Sequence, residues 1–306
     1  MAKRNLYDPN ATGTYLISRS TIESHVRCPR CFVLDRRYGI RKPSIPAFTL
    51  NSAVDAMLKR EFDIHRAAGT VHPLVAAAGY DLKPFDHPDI EAWRSMGKGM
   101  RFVHEPTGFD VQGLVDDIWV DGEGVLYVVD YKSTAKDQPV EEVGDAVWHQ
   151  AYRRQLEIYQ WLLRQMGFTV SNTAFWFYET GDNTAATFDQ VIKFEARVIA
   201  YEGNDGWVES ELLEMKQNID RDFVPRAADD CEHCKYFAER TQIAEQVGDD
   251  VPPLCDFCRK PMTRILYGYP DPQFYEQNRD TRVFGGCIIG PENPVWACKT
   301  CGTDAN

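Results

Sequence analysis

The chain has 306 residues, 43% of them hydrophobic, and a net charge of −12. That is enough apolar material for one large core and a small second one, while the acidic balance excludes a coat that binds nucleic acid by neutralising many phosphates. No apolar run reaches the length of a membrane span, and the polar start MAKRNLYDPN lacks the apolar centre of a secretory signal, so a cytoplasmic protein is expected.

Residues 1–14 read as a loose tail. LISRSTIESHVR has helical periodicity, with Ser18 or Ser20 as its cap. A basic strip follows, with Arg19, Arg27, Arg30, Arg36, Arg37, Arg41 and Lys42 against only Glu23 and Asp35. On charge alone it reads as a solvated helix face ahead of a phosphate track. TLNSAVDAMLKREFDIHRAAG is an amphipathic helix whose stripe is Leu50, Val54, Met57, Leu58 and Phe62, closed by Gly69. GMRFVHEPTGFDVQGLVDDIWV alternates as one or two strands. DAVWHQAYRRQLEIYQWLLRQMGF is a second helix, ended by Gly167. TVSNTAFWFYET and TFDQVIKFEARVI form a strand pair, and NDGWVESELLEMKQNID is a third helix. The pattern implies a large α/β domain over 15–245, a linker at 246–252 and a small β-rich module over 253–306.

GLVDDIWVDGEGVLYVVDYKST holds an anomaly. Val125 to Val129 is apolar on both faces, as in a buried strand, yet it runs into Asp130 and Lys132. Buried charges pair, hold a metal or do chemistry. Alternation puts Asp130 and Lys132 on one face, roughly 6.5–7 Å apart along the backbone. If Gly122-Glu123-Gly124 makes a three-residue loop, Asp121 faces Val125 and Asp116 faces Asp130, about 4.5–5.5 Å apart. A slip of one residue would bring Asp117 to the site instead. Two carboxylates that close call for a cation between them. Oxygen ligands suit Mg²⁺ or Mn²⁺, and an adjacent lysine can orient water or stabilise charge.

These residues resemble the Gly-x-x-Asp…Asp-x-Lys-Thr/Ser core of the PD-(D/E)XK nuclease superfamily in its RecB-like branch, which includes the iron–sulfur nucleases of CRISPR adaptation. Gly113 and Asp116 match the first element, and Asp130 and Lys132 the second. Gln155 and Tyr159 match the Gln-x-x-x-Tyr of the following helix. The early helix of the family often carries Gly-x-x-x-His. Here Asn51 and Asp55 stand at those positions, with Glu61 as a fallback acid. The resemblance implies a restriction-endonuclease-like core, a mixed central sheet flanked by helices. It also implies Mg²⁺ or Mn²⁺ on Asp55, Asp116, Asp130 and the Tyr131 carbonyl, with Lys132 catalytic and Gln155 and Tyr159 on the nucleic-acid backbone. DNA is favoured over RNA as substrate.

Eight of the nine cysteines form Cys-x-x-Cys pairs. Such pairs grip a metal from tight turns in a reducing compartment. Cys28 and Cys31 with Cys231 and Cys234 would tie the two ends of the large domain together. The resemblance places a [4Fe–4S] cluster there, although the family's usual partition is one early cysteine and three late, and zinc fits the same four thiolates. Cys255, Cys258, Cys298 and Cys301 resemble a structural zinc ribbon, a possible contact for a protein partner. Its insert RILYGYPDPQFYEQ brings Tyr267, Tyr269, Phe274 and Tyr275, read as core around the zinc more readily than as base-stacking groups. Cys287 is expected to be a packed thiol. Against the metal-dependent nuclease stands a non-catalytic adaptor on the same fold, and a redox iron–sulfur protein is the third reading.

Overall fold

A strand that is apolar on both faces needs cover on both faces, and the computed structural model shows what supplies it. The structure describes residues 5–43, 46, 48–247, 252–287, 290 and 293–305. It divides into two units, Met1–Cys234 and Lys235–Asn306. Of the tail and linker expected at 1–14 and 246–252, residues 1–4 and 248–251 lie outside the described residues.

The first unit runs β1 (Tyr15–Ser18), α1 (Arg19–Arg27), α2 (Pro29–Arg36), α3 (Thr49–Ala68), α4 (Pro73–Ala77), β2 (Lys83–Pro84) and α5 (Ile90–Arg94). It continues with β3 (Met100–His104), β4 (Phe109–Gly113), β5 (Asp117–Val120), β6 (Leu126–Lys136), α6 (Val147–Gln165), β7 (Thr173–Asp182), β8 (Phe194–Glu202) and α7 (Val208–Asp220). A further helix, α8 (Glu232–Val247), begins at the end of this unit.

The main sheet has the order β2-β5-β6-β7-β8, with β6 and β7 parallel and the other pairs antiparallel. A second sheet, β1-β4-β3, pairs β1 parallel to β4. The expected mixed α/β architecture is therefore present. Strand β6 is the central strand of the five, with α3 covering one face and α6 the other. Val54, Leu58 and Phe62 of α3 pack on Trp119, Val129, Tyr131, Phe175 and Phe177. Leu156, Leu162 and Leu163 of α6 pack with Val128 and Trp176 on the reverse side. Each fully buried side chain of this size contributes about 1.5–3 kcal/mol, so the sandwich fixes β6 firmly.

Local chemistry sets the helix ends. Ser18 caps α1 by accepting from the Thr21 amide, and Thr21 answers to the Ser18 amide. Helix α1 thus begins after the Ser18 cap, while Leu16 and Ile17, which share the helical period ahead of it, lie in β1 paired with β4. Gly69 ends α3 at φ 63°, a left-handed conformation that favours glycine. Of the expected α3 stripe, Leu50 and Met57 are exposed; a narrow face suffices against a sheet. The span read as one or two strands holds three, β3 to β5, divided between the two sheets.

The second unit contains β9 (Thr263–Leu266), α9 (Pro272–Asn278), β10 (Val283–Phe284), β11 (Trp296–Ala297) and β12 (Asp304–Ala305) in the sheet order β10-β9-β11-β12. Its core is Met262, Trp296 and Ala305 around the cysteines. The insert aromatics do not form that core: Tyr269 is 91% exposed, and Phe274 and Tyr275 are exposed as well. Cys287 is exposed, not packed. Among the described residues no helix is long and apolar enough to cross a membrane.

Candidate active site and cysteine centres

The turn between β5 and β6 decides which aspartate reaches the site. The Asp121 carboxylate accepts from the amides of Glu123 and Val125, both at 2.9 Å, and from the Tyr127 hydroxyl at 3.1 Å. Gly124 takes φ 83° to close the loop. The Asp121 amide then donates to the Val125 carbonyl at 3.2 Å. Asp117 pairs with Val129 and Val120 with Leu126, and one further step places Asp116 opposite Asp130.

Helix α3, the residue ahead of β5 and strand β6 bring their charges together there, and α6 adds a neutral amide. Asp116 Oδ2 accepts from the Tyr131 amide at 3.0 Å, and its Oδ1 lies 3.2 Å from Lys59 Nζ. Lys59 also donates to Asp55 Oδ2 at 2.9 Å, so one ammonium from α3 bridges two acids. Asp130 is fully buried, with its Oδ1 accepting from Gln155 Nε2 at 2.6 Å and its Oδ2 against the Lys132 ammonium. That Oδ2 has no aligned hydrogen-bond donor. Burial raises the Asp130 pKa, and repulsion from Asp116 adds to the rise while Lys132 opposes it. Burial and Asp116 also raise Asp55. Burial pulls Lys59 down, but Asp116 and Asp55 outweigh it and hold its pKa up. Three carboxylates thus meet two ammonium groups and leave a deficit of positive charge. The buried, unaligned Asp130 oxygen beside Asp116 offers a hard divalent cation two carboxylates, while Asp55, held by Lys59, does not close a three-ligand group within 4.8 Å among the described residues.

The neighbouring Asp117 has a different role. It is fully buried on the α3 side, accepting from Arg66 Nη2 at 2.6 Å, the Tyr131 hydroxyl at 2.8 Å and the Ile118 amide at 2.8 Å. Arg94 Nη2 stands 3.0 Å from the same carboxylate. This network braces Tyr131, whose amide in turn holds Asp116.

The Gly-x-x-Asp glycine has a steric reason. A Cβ on Gly113 would lie 2.6 Å from Leu162 Cδ1 and 2.9 Å from the Tyr159 ring. Tyr159 is 3% exposed, and burial pushes its phenol up to about 12, with Arg19 pulling the other way. Its ring backs the strand, which leaves Gln155 as the member of the helix pair that lines the open groove. That groove, about 420 Å³, is also lined by Arg19, Phe48, Asn51, Asp55, Lys132 and Tyr152. Asn51, at the family's glycine position, donates to the Ser133 carbonyl at 2.7 Å and stitches α3 to β6. Lys132 Nζ stands 4.7 Å from the Tyr152 ring centroid. Glu61, the fallback acid, is bound to His72 at 3.0 Å, away from this cluster.

Sequence reasoning missed Lys59, although Asp55 and Lys59 stand four apart on α3 and so share a helix face. It also left Arg19 in a solvated strip. The strip in fact divides: Arg37 donates to the Ile219 carbonyl at 3.1 Å, Arg41 pairs with Asp35 at 3.0 Å, and Arg19 lines the groove.

Both cysteine groups assemble as expected. The sulfurs of Cys28, Cys31, Cys231 and Cys234 all lie within 4.8 Å of one another, as do those of Cys255, Cys258, Cys298 and Cys301. None of the cysteines is in a disulfide. Either group can hold a metal ion.

Comparison with known proteins bears on the larger unit. A family model described as the PD-(D/E)XK nuclease superfamily matches residues 16–238. A search of the curated proteins finds no match.

Proposed function

Because the chain belongs to the PD-(D/E)XK nuclease superfamily, we propose that it hydrolyses phosphodiester bonds in nucleic acid, DNA in preference to RNA, in a reducing cytoplasm. The observation that carries this reading is that Asp116, just ahead of β5, and the buried Asp130 of β6 stand together directly behind a groove that Asp55, Lys132 and Gln155 line. Asp116, Asp130 and the Tyr131 carbonyl, with Asp55 from α3, would hold Mg²⁺ or Mn²⁺, which when bound would acidify a water and neutralise phosphate charge. The protein's own groups do the rest. Lys132, seated between Asp130 and the Tyr152 ring, directs its ammonium to orient the attacking water and to meet the developing charge. Gln155 fixes the Asp130 carboxylate from behind and offers its amide to the substrate backbone. Arg19, on the groove wall, meets a phosphate. Lys59 neutralises Asp55 and Asp116 by bridging the two carboxylates. The C-terminal cysteines hold a structural zinc, and the exposed aromatics beside them offer a surface to nucleic acid or a protein partner.

The test is cleavage of end-labelled single- and double-stranded DNA with Mg²⁺ or Mn²⁺ by the full chain, Asp130→Ala and Lys132→Ala, purified side by side. Cleavage by the wild type alone supports the proposal; equal cleavage by all three means a contaminant is cutting. A non-catalytic scaffold is favoured by one observation, that Lys59 already satisfies two of the three acids. It requires that no divalent ion bind at all.

A further inference from the structure

We infer that Cys28, Cys31, Cys231 and Cys234 hold a single zinc ion, and not the four-iron cluster that the likeness to iron–sulfur nucleases implies. The inference rests on sulfur spacing and is independent of the nuclease reading. Four thiolates on one Zn²⁺ at about 2.3 Å occupy a tetrahedron with edges of about 3.8 Å. Here Cys31 Sγ lies 3.5 Å from Cys234 Sγ and 3.6 Å from Cys231 Sγ, and Cys28 Sγ lies 3.9 Å from Cys234 Sγ. No pair of the four exceeds 4.8 Å. A four-iron cluster seats each thiolate on a different iron, outside a cage of irons and sulfides. The sulfurs must then stand apart by the width of that cage, and this group leaves no room for one.

Two further features agree. The ligands come two and two, from Cys-x-x-Cys turns. The C-terminal group repeats this arrangement, with Cys258 and Cys298 sulfurs 3.5 Å apart. The charge is also accommodated. Four thiolates on Zn²⁺ carry a net charge of 2−, and Cys28 and Cys231 are the residues immediately preceding α2 and α8. Both helices therefore begin at the centre, where their amide ends favour an anion. Cys28, Cys31 and Cys231 are buried together with the half-buried Cys234 against them, and four thiolates complete a tetrahedral shell. Loading releases the thiol protons as the zinc–sulfur bonds form, with no change of oxidation state. The centre is a clasp joining residues 203 positions apart, Cys31 to Cys234, and is not a redox switch.

The full chain is expressed in iron-replete medium and purified without oxygen, so that zinc is not present for want of iron. Metals are counted by mass spectrometry and the visible spectrum is recorded. The expected result is about two zinc ions per chain, iron far below one, and no visible absorption. Cys255→Ser with Cys298→Ser should retain about one zinc, held by the first group. Four irons per chain with iron–sulfur absorption would overturn the inference, and so would a wild type whose only zinc disappears in that double variant. If the double variant does not fold, cobalt growth of the wild type decides. Thiolate–cobalt bands with the intensity of two tetrahedral sites support the clasp, and those of one site contradict it.

Discussion

Asp116 and Asp117 are adjacent in sequence, yet their replacement by asparagine should have opposite consequences. Asp117 is fully buried between Arg66, Arg94 and Tyr131. Asp117→Asn keeps the shape but removes the buried charge, leaving Asp63 as the carboxylate that the Arg66 and Arg94 guanidinium groups share. Breaking one side of a buried pair costs about 3–5 kcal/mol. At about 2–4 °C per kcal/mol for a unit of this size, the melting temperature should fall by roughly 6–20 °C. Asp116 is partly exposed and shares its neighbourhood with Asp130, which it repels. Asp116→Asn relieves that repulsion while losing a half-buried ion pair to Lys59, so its stability should fall by far less than that of Asp117→Asn. Paired urea and thermal melts, with cleavage measured on the same samples, test this. Equal destabilisation by both variants, or an Asp117→Asn protein as stable as wild type, would refute the division of roles.

Three further outcomes follow from the same geometry. Gln155→Ala removes the donor that orients Asp130 and should weaken Mn²⁺ binding about 10–100-fold, measured by calorimetry, without unfolding the chain. Lys59→Met removes the ammonium that bridges Asp55 and Asp116. Mn²⁺ should then bind roughly tenfold more tightly, about 1.4 kcal/mol, because no internal cation has to be displaced. Gly113→Ala drives a methyl group into Leu162 and Tyr159 and should cost about 1–3 kcal/mol in urea unfolding.

Much of the site could be read from the hairpin alone. The Asp-Gly-Glu-Gly turn fixes the register of β5 on β6, and the register selects Asp116 over Asp117. The double-sided apolar run of β6 announces cover on both faces, which α3 and α6 supply. Other features depend on tertiary context. The helical period of LISRSTIESHVR runs back past the Ser18 cap into β1, whose pairing with β4 is a long-range contact that no local pattern records. The reason for Gly113 lies in Tyr159, on a helix far along the chain. Lys59 carries a legible spacing from Asp55, but its second partner, Asp116, is defined only once α3 lies across the sheet. The insert aromatics were expected around the C-terminal cysteines, yet Met262 and Trp296 already fill that space.

The most direct measurement is titration of Mn²⁺ into the full chain, Asp116→Asn and Asp130→Asn, followed by calorimetry. One ion bound by the wild type in a step that both variants lose is the expected result. A wild type that binds no Mn²⁺, or variants that bind it as well as the wild type does, would contradict a cation shared by the two aspartates.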